Sequence, residues 1–146
     1  MFKTILLAVD GSEHSDKAVD AARDLAQQFA SDLLILHVRE RLVTRRGVSE
    51  TAIEEVGVAM DLAESLKREG LNARAEEPLV PHGNVAQEIA RVAQAMDPDV
   101  IAMGSRGLSN VGGIFLGSVT HKVLHLVSCP VLVVRCSGET IAEQTK

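Results

Sequence analysis

The chain has 146 residues, 46% of them hydrophobic and 24% charged, with a formal net charge of -5. That length fits one domain burying roughly 70% of the surface its unfolded chain exposes, and no window approaches the roughly 20 apolar residues of a membrane span. Interspersed charges of both signs, no Trp or Tyr and only three Phe offer neither a basic footprint nor a stacking platform for nucleic acid.

The opening MFKTILLAVDG reaches Asp10 too soon for a secretory signal, so a cytoplasmic protein is expected. In chain order, the β-branched and apolar run Thr4 to Val9 predicts a first strand. Ala18, Ala22, Leu25 and Phe29 then form one helical stripe. A second strand is expected over Leu33 to Val38. Arg39 to Gly47 breaks the pattern and reads as a mobile loop. Ile53, Val56, Met60, Ala63 and Leu66 form the next stripe, which Gly70 is placed to end. A weaker strand spans Ala73 to Val80. Val85, Ile89, Val92 and Met96 follow behind Asn84 as cap. Val100 to Met103 is the fourth strand, Ser118 to about Val127 the fourth helix, and Val131 to Val134 the fifth strand. The domain is expected over 1–137, with a flexible tail at 138–146.

Strands apolar on both faces that alternate with helices predict a doubly wound α/β domain, a five-stranded parallel sheet with four helices, Rossmann-like. Ligands bind such sheets beyond the carboxyl ends of the strands, where strand order reverses. The unusual residues follow strands one and four: Asp10, Gly11 and Ser12, and then GSRGLSNVGGIFLGS from Gly104 to Ser118, with five glycines. They become neighbours in the order 3-2-1-4-5 but not in 2-1-3-4-5, so the first is expected.

A glycine-rich loop opening into a helix suits an anion, because its N–H groups are unpaired and the helix start carries about half a positive charge. Glycine admits close approach and positive φ, and Ser118 is placed to cap the helix and donate its hydroxyl. The familiar phosphate signatures are absent. Gly113 to Ser118 reads GIFLGS, without the P-loop lysine, and VDGSEHS after strand one is not GxGxxG. A receiver domain would need an acidic pair after strand one, and a flavodoxin an aromatic ring against the flavin.

Gly104, Gly107, Gly117 and Ser118 spell G-x2-G-x9-G-S. Together with KTILLAVDGSEHS near the start and SCPVLVVR near the end, this resembles the universal stress protein family over Lys3 to Arg135. The resemblance implies strand order 3-2-1-4-5 and, for the branch carrying the glycine motif, ATP binding. Gly104, Gly107, Gly117 and Ser118 would hold ribose and phosphates, Asp10 would lie beside the adenosine, and the Val38 backbone would read the adenine edge. Arg106, inside the loop, is the preferred charge partner for phosphate; Arg45 and Arg46 read as a solvated face. A triphosphate brings about four negative charges, more than the chain supplies, so Mg2+ or Mn2+ is expected to bridge the phosphates, and no carboxylate cluster marks a protein metal site. The resemblance also implies a homodimer through Val131 to Val134, which would cover an apolar sheet edge.

No base with its orienting partner stands out for phosphoryl transfer. The expectation is therefore a ligand-dependent dimeric sensor or adaptor for an unidentified regulatory target, with hydrolysis slow or partner-dependent. The alternatives are a nucleotide-independent interaction module and a weak ATPase. His121 and His125 are spaced for zinc, yet Lys122 stands where HExxH would place its base, so they read as helix-surface residues. His82 reads as a turn residue at the rim and His37 as a sheet residue. Cys129 and Cys136, seven apart, would point to opposite faces and act as small apolar residues.

Overall fold

The computed structural model describes residues 1–12, 15–41, 43–44, 47–48, 56–105 and 116–135. Along the chain run β1 (Thr4–Ala8), α1 (Asp16–Phe29), β2 (Asp32–Leu36), β3 (Arg39–Arg41), β4 (Val43–Thr44), β5 (Gly47–Val48) and α2 (Val58–Arg68). They are followed by β6 (Asn72–Glu76), β7 (Leu79–Pro81), α3 (Val85–Met96), β8 (Val100–Gly104), α4 (Ser118–Leu126) and β9 (Val131–Val134). The main sheet is parallel with order β6-β2-β1-β8-β9, the expected 3-2-1-4-5.

Apolar residues on both strand faces require two covering layers, and the core divides accordingly. Ile5, Leu7, Leu33 and Ile35 pack under α1 and α2 with Ala18, Ala22, Ala63 and Leu66. Leu6, Leu34, Leu36 and Met103 pack under α3 and α4 with Ile89, Val92 and Val123. Each fully buried aliphatic side chain contributes about 1.5–3 kcal/mol, so the central strands β1, β2 and β8 carry most of the stability and leave their C-terminal ends available for chemistry.

Three local expectations are corrected. The run Ala73 to Val80 is two strands, because Pro78 has no N–H to give a ladder; β7 resumes beyond it and pairs with β3 rather than β2. Part of the expected loop from Arg39 is thus strand, and β4 and β5 form an antiparallel pair beyond it. The α2 stripe is shifted: Ala59, Ala63 and Leu66 are buried, whereas Val56 and Met60 are 58% and 57% exposed. Gly57, in the left-handed region at φ 95, starts the helix after Val56 and sets this phase. Gly70, at φ 91, follows the helix end as expected. Ile53, Cys136 and the tail lie outside the described residues.

The two sheet edges differ. On β6 the exposed positions are Asn72, Arg74 and Glu76, a polar row. On β9 the sequence is VLVV, with Leu132 36% exposed.

Candidate functional site

β1 stands between β2 and β8, with Ala8 beside Leu36 on one side and Met103 on the other. The connection from β1 leads away toward β2, and the one from β8 leads away toward β9, so a crevice opens where their ends diverge. Asp10, Gly104 and the start of α4 meet this rim.

Gly11, at φ 80, turns the chain out of β1 in a conformation that glycine adopts without a Cβ penalty. The turn folds back on Asp10, whose Oδ1 accepts the Ser12 N–H at 2.9 Å and also the Ser12 hydroxyl. Ser15, buried at the start of α1, donates its hydroxyl to Ser12 O at 2.8 Å. One carboxylate oxygen is thereby fixed to the turn. Among the described residues Oδ2 of Asp10 has no such partner.

Val38 lies just past β2. Val9 donates its N–H to Leu36 O at 3.0 Å, while the N–H groups of His37 and Arg39 go the other way, to Glu76 O at 3.0 Å and Pro78 O at 2.8 Å. Successive residues of a parallel strand face alternate neighbours, so the main-chain groups of Val38 face the side of β1, which has already turned off at Asp10. Its side chain is in the core under α3. Among the described residues no hydrogen bond engages its N–H or C=O. The result is a donor and an acceptor side by side, open to the crevice.

On the other flank Gly104 ends β8. The chain that leaves at Ser105 returns at Gly117, and the two ends are tied: Gly117 N–H donates to Ser105 O at 2.6 Å. The buried Thr120 hydroxyl donates to Gly104 O at 2.9 Å. Gly117, not Ser118, occupies the N-cap position, and Ser118 is the first helical residue; no side-chain cap bond is made. Nor does Gly117 use positive φ, for it sits at φ -57 and ψ 153. The first intrahelical bond runs from His121 N–H to Gly117 O, which leaves the amides of Ser118, Val119 and Thr120 for an incoming acceptor. Asn84 likewise precedes α3 without a side-chain cap bond. Arg106, Gly107, Arg45 and Arg46 lie outside the described residues.

Thr120 and Ser105 escaped the sequence reading. A threonine two places into a helix carries no pattern of its own, and only the fold reveals that its hydroxyl closes the neck under Gly104. Thr120→Val keeps the shape and removes that donor from a buried carbonyl, so the nucleotide-free protein should lose about 1–3 kcal/mol in denaturant unfolding.

His82 pairs with Glu40 in the turn after β7, and Gly83 N–H also reaches that carboxylate, at 3.3 Å. His121 and His125 meet edge to face on the exposed face of α4, with ring centroids 4.7 Å apart. Cys129 is half-buried beside the α3–α4 core; burial pushes its thiol up, and the Asp97 carboxylate adds to the effect. Among the described residues no group of three or more His, Cys, Asp or Glu could hold a metal ion, and no helix is long and apolar enough to cross a membrane.

Comparison with known proteins agrees with the fold. The model of the universal stress protein family matches residues 1–135. Universal stress protein YxiE of Bacillus subtilis is 38% identical, over 92% of this chain and all of its own length. The solved structure of MJ0577, from Methanocaldococcus jannaschii, superposes with a TM-score of 0.74 at 26% identity, covering 95% of this chain and 99% of that one. Two structures with the same fold were solved with adenine nucleotides. One is a universal stress protein in complex with cAMP (TM-score 0.66, 24% identity, covering 92% and 97% of the two chains). The other, from Archaeoglobus fulgidus, is in complex with dAMP (TM-score 0.67, 18% identity, covering 92% and 99%).

Proposed function

The chain belongs to the universal stress protein family, and from that premise we propose that it binds ATP at the β1–β8 crevice and acts as a homodimeric stress-response or regulatory protein. Nucleotide occupancy changes the surface it offers to a protein partner, and hydrolysis is slow at most.

The observation that carries this reading is the open main-chain edge of Val38 beside Asp10. An adenine ring needs a donor and an acceptor on one edge, a ribose hydroxyl needs a carboxylate oxygen, and phosphates need unpaired amides. Val38, Oδ2 of Asp10 and the first turn of α4 supply these in that order across adjacent strand ends. Gly104 and Gly117 bring backbone to the rim without a side chain in the way. The relatives solved with cAMP and dAMP support an adenine nucleotide as the ligand class. Without a described carboxylate cluster, a Mg2+ or Mn2+ ion would be held chiefly by the phosphates themselves. The loop residues Arg106 and Gly107 complete the proposed set.

A homodimer is part of the same proposal. In the β8–β9 ladder Ile101 N–H reaches Pro130 O and Ser105 N–H reaches Val134 O. Even-numbered residues of β9 therefore face β8, and the N–H and C=O of Val131 and Val133 face the open edge. An apolar edge with unsatisfied groups pairs with another strand unless blocked, and β6, whose exposed row is polar and carries Arg74 and Glu76, is the less apolar edge.

The absence of Trp and Tyr makes the first test direct. The purified protein, freed of nucleic acid, should show the absorbance maximum of a purine, and acid release should yield adenine nucleotide at close to one per chain. If it is empty, titration with Mg-ATP in a calorimeter should give saturable binding. Silence in both experiments would leave the nucleotide-independent interaction module as the reading.

A further inference from the structure

Glu77 stands between β6 and β7, in the register position opposite His37. Its side chain is 7% exposed, and Oε1 lies 3.5 Å from Nδ1 of His37, itself 2% exposed. The carboxylate also accepts the Gly57 N–H, at 3.0 Å to Oε1 and 3.1 Å to Oε2. Its main-chain carbonyl accepts from Arg39, from Nε at 3.3 Å and Nη2 at 3.1 Å. One residue thus grips both neighbours of Val38.

The grip matters because of what the neighbours share with Val38. Its N–H belongs to the peptide plane joined to His37, and its C=O to the plane joined to Arg39. The second plane is tied by Arg39 N–H on Pro78 O at 2.8 Å, and the first turns with His37, which packs against the Glu77 carboxylate. The contact continues toward Asp10: Gly57 leads into Val58, whose Cγ2 lies 3.7 Å from where a Cβ on Gly11 would stand. Glu77 therefore links the peptide edge at Val38 to the turn that holds Asp10. A carboxylate this enclosed is costly unless a donor holds it, and here the Gly57 amide donates to it while the His37 ring packs 3.5 Å away.

We propose that Glu77 is the positioning residue that gives this site its discrimination between adenine and guanine, an inference that rests on the nucleotide reading above. Adenine presents a ring acceptor beside an amino donor, whereas guanine presents a ring N–H beside a carbonyl acceptor. A peptide edge held in one orientation matches only the first. Once the grip is loosened, the peptide joining His37 to Val38 can turn and the match to adenine alone is lost.

The test compares the affinities of the full chain for Mg-ATP and Mg-GTP by calorimetry, in the unaltered protein, Glu77→Gln and Arg39→Met. Glu77→Gln keeps the volume but loses the charge and one acceptor oxygen, and should weaken ATP binding about tenfold. GTP affinity should change by less than about twofold, so the ATP-to-GTP preference narrows by nearly the same factor. Arg39→Met removes the carbonyl arm and should move the preference in the same direction, which decides the matter if Glu77→Gln does not fold. Equal losses for both nucleotides would make Glu77 a stabilising residue only, and an unchanged preference in both variants would likewise overturn its assignment. Failure of the unaltered chain to bind ATP would overturn the nucleotide reading itself and this proposal with it.

Discussion

Gly117→Val is expected to lower affinity for Mg-ATP by at least about a hundredfold, the loss of two charge-assisted hydrogen bonds at the start of α4. The fold should survive. Gly117 sits at φ -57 and ψ 153, extended backbone that a β-branched residue adopts without strain. Its own N–H is occupied by Ser105 O, and that bond does not involve the side chain. What the glycine supplies to a ligand is the absence of a Cβ beside the free amides of Ser118 to Thr120. Valine at an N-cap costs about 1 kcal/mol, or about 2–4 °C of melting temperature in a chain of this size. Calorimetry and a thermal melt on the same preparation separate the two effects. Unchanged ATP affinity with an intact fold would remove the glycine neck from the site.

The second large effect concerns assembly. Light scattering at micromolar concentration should give a dimeric mass for the unaltered chain and a monomeric mass for Val133→Pro, whose missing N–H lies on the open edge of β9. ATP affinity should be retained, because Val133 bonds neither β8 nor the rim. Leu132→Pro provides the contrast: its N–H faces β8 by the same alternation, so the substitution breaks an internal ladder and should cost about 1–3 kcal/mol of stability for the carbonyl left without its donor. A monomeric mass for the unaltered protein would sink the dimer, and equal behaviour of the two proline variants would mean the alternation is misassigned.

Strand order and the placement of Asp10, Gly104 and Gly117 were legible in the sequence because they follow from strong signals. Five apolar runs separated by helical stripes demand a covered parallel sheet, and the chemistry on either side of β1 selects its order. The phase of α2 was not legible. Val56 and Met60 continue an apolar period with Ala63, and only the turn at Gly57 shows that the helix begins one register later. Nor could the sequence reveal that the extended run through Val80 is cut at Pro78 and shared between two partners. Ser118 was read as the cap from residue type alone, whereas the tie between Gly117 and Ser105 fixes the cap one residue earlier. Glu77 left no trace, since an acid before a proline in a weak strand has the composition of any solvated edge. Its role depends on three partners far apart in sequence: His37, Arg39 and Gly57.

The paired bonds beneath the glycine segment divide the chain in a way that bears on engineering and descent. Gly117 N–H to Ser105 O and Thr120 hydroxyl to Gly104 O fasten the exit of β8 to the entry of α4 without help from the residues between. A segment whose two ends are already clamped can change length at a cost that grows only with the logarithm of that length, about 0.6 kcal/mol per doubling. The frame on either side of positions 106 to 116 is therefore closed by bonds among Gly104, Ser105, Gly117 and Thr120 alone. On the proposed function, replacing the stretch between would exchange what the rim recognises and leave the sheet and its edges unchanged.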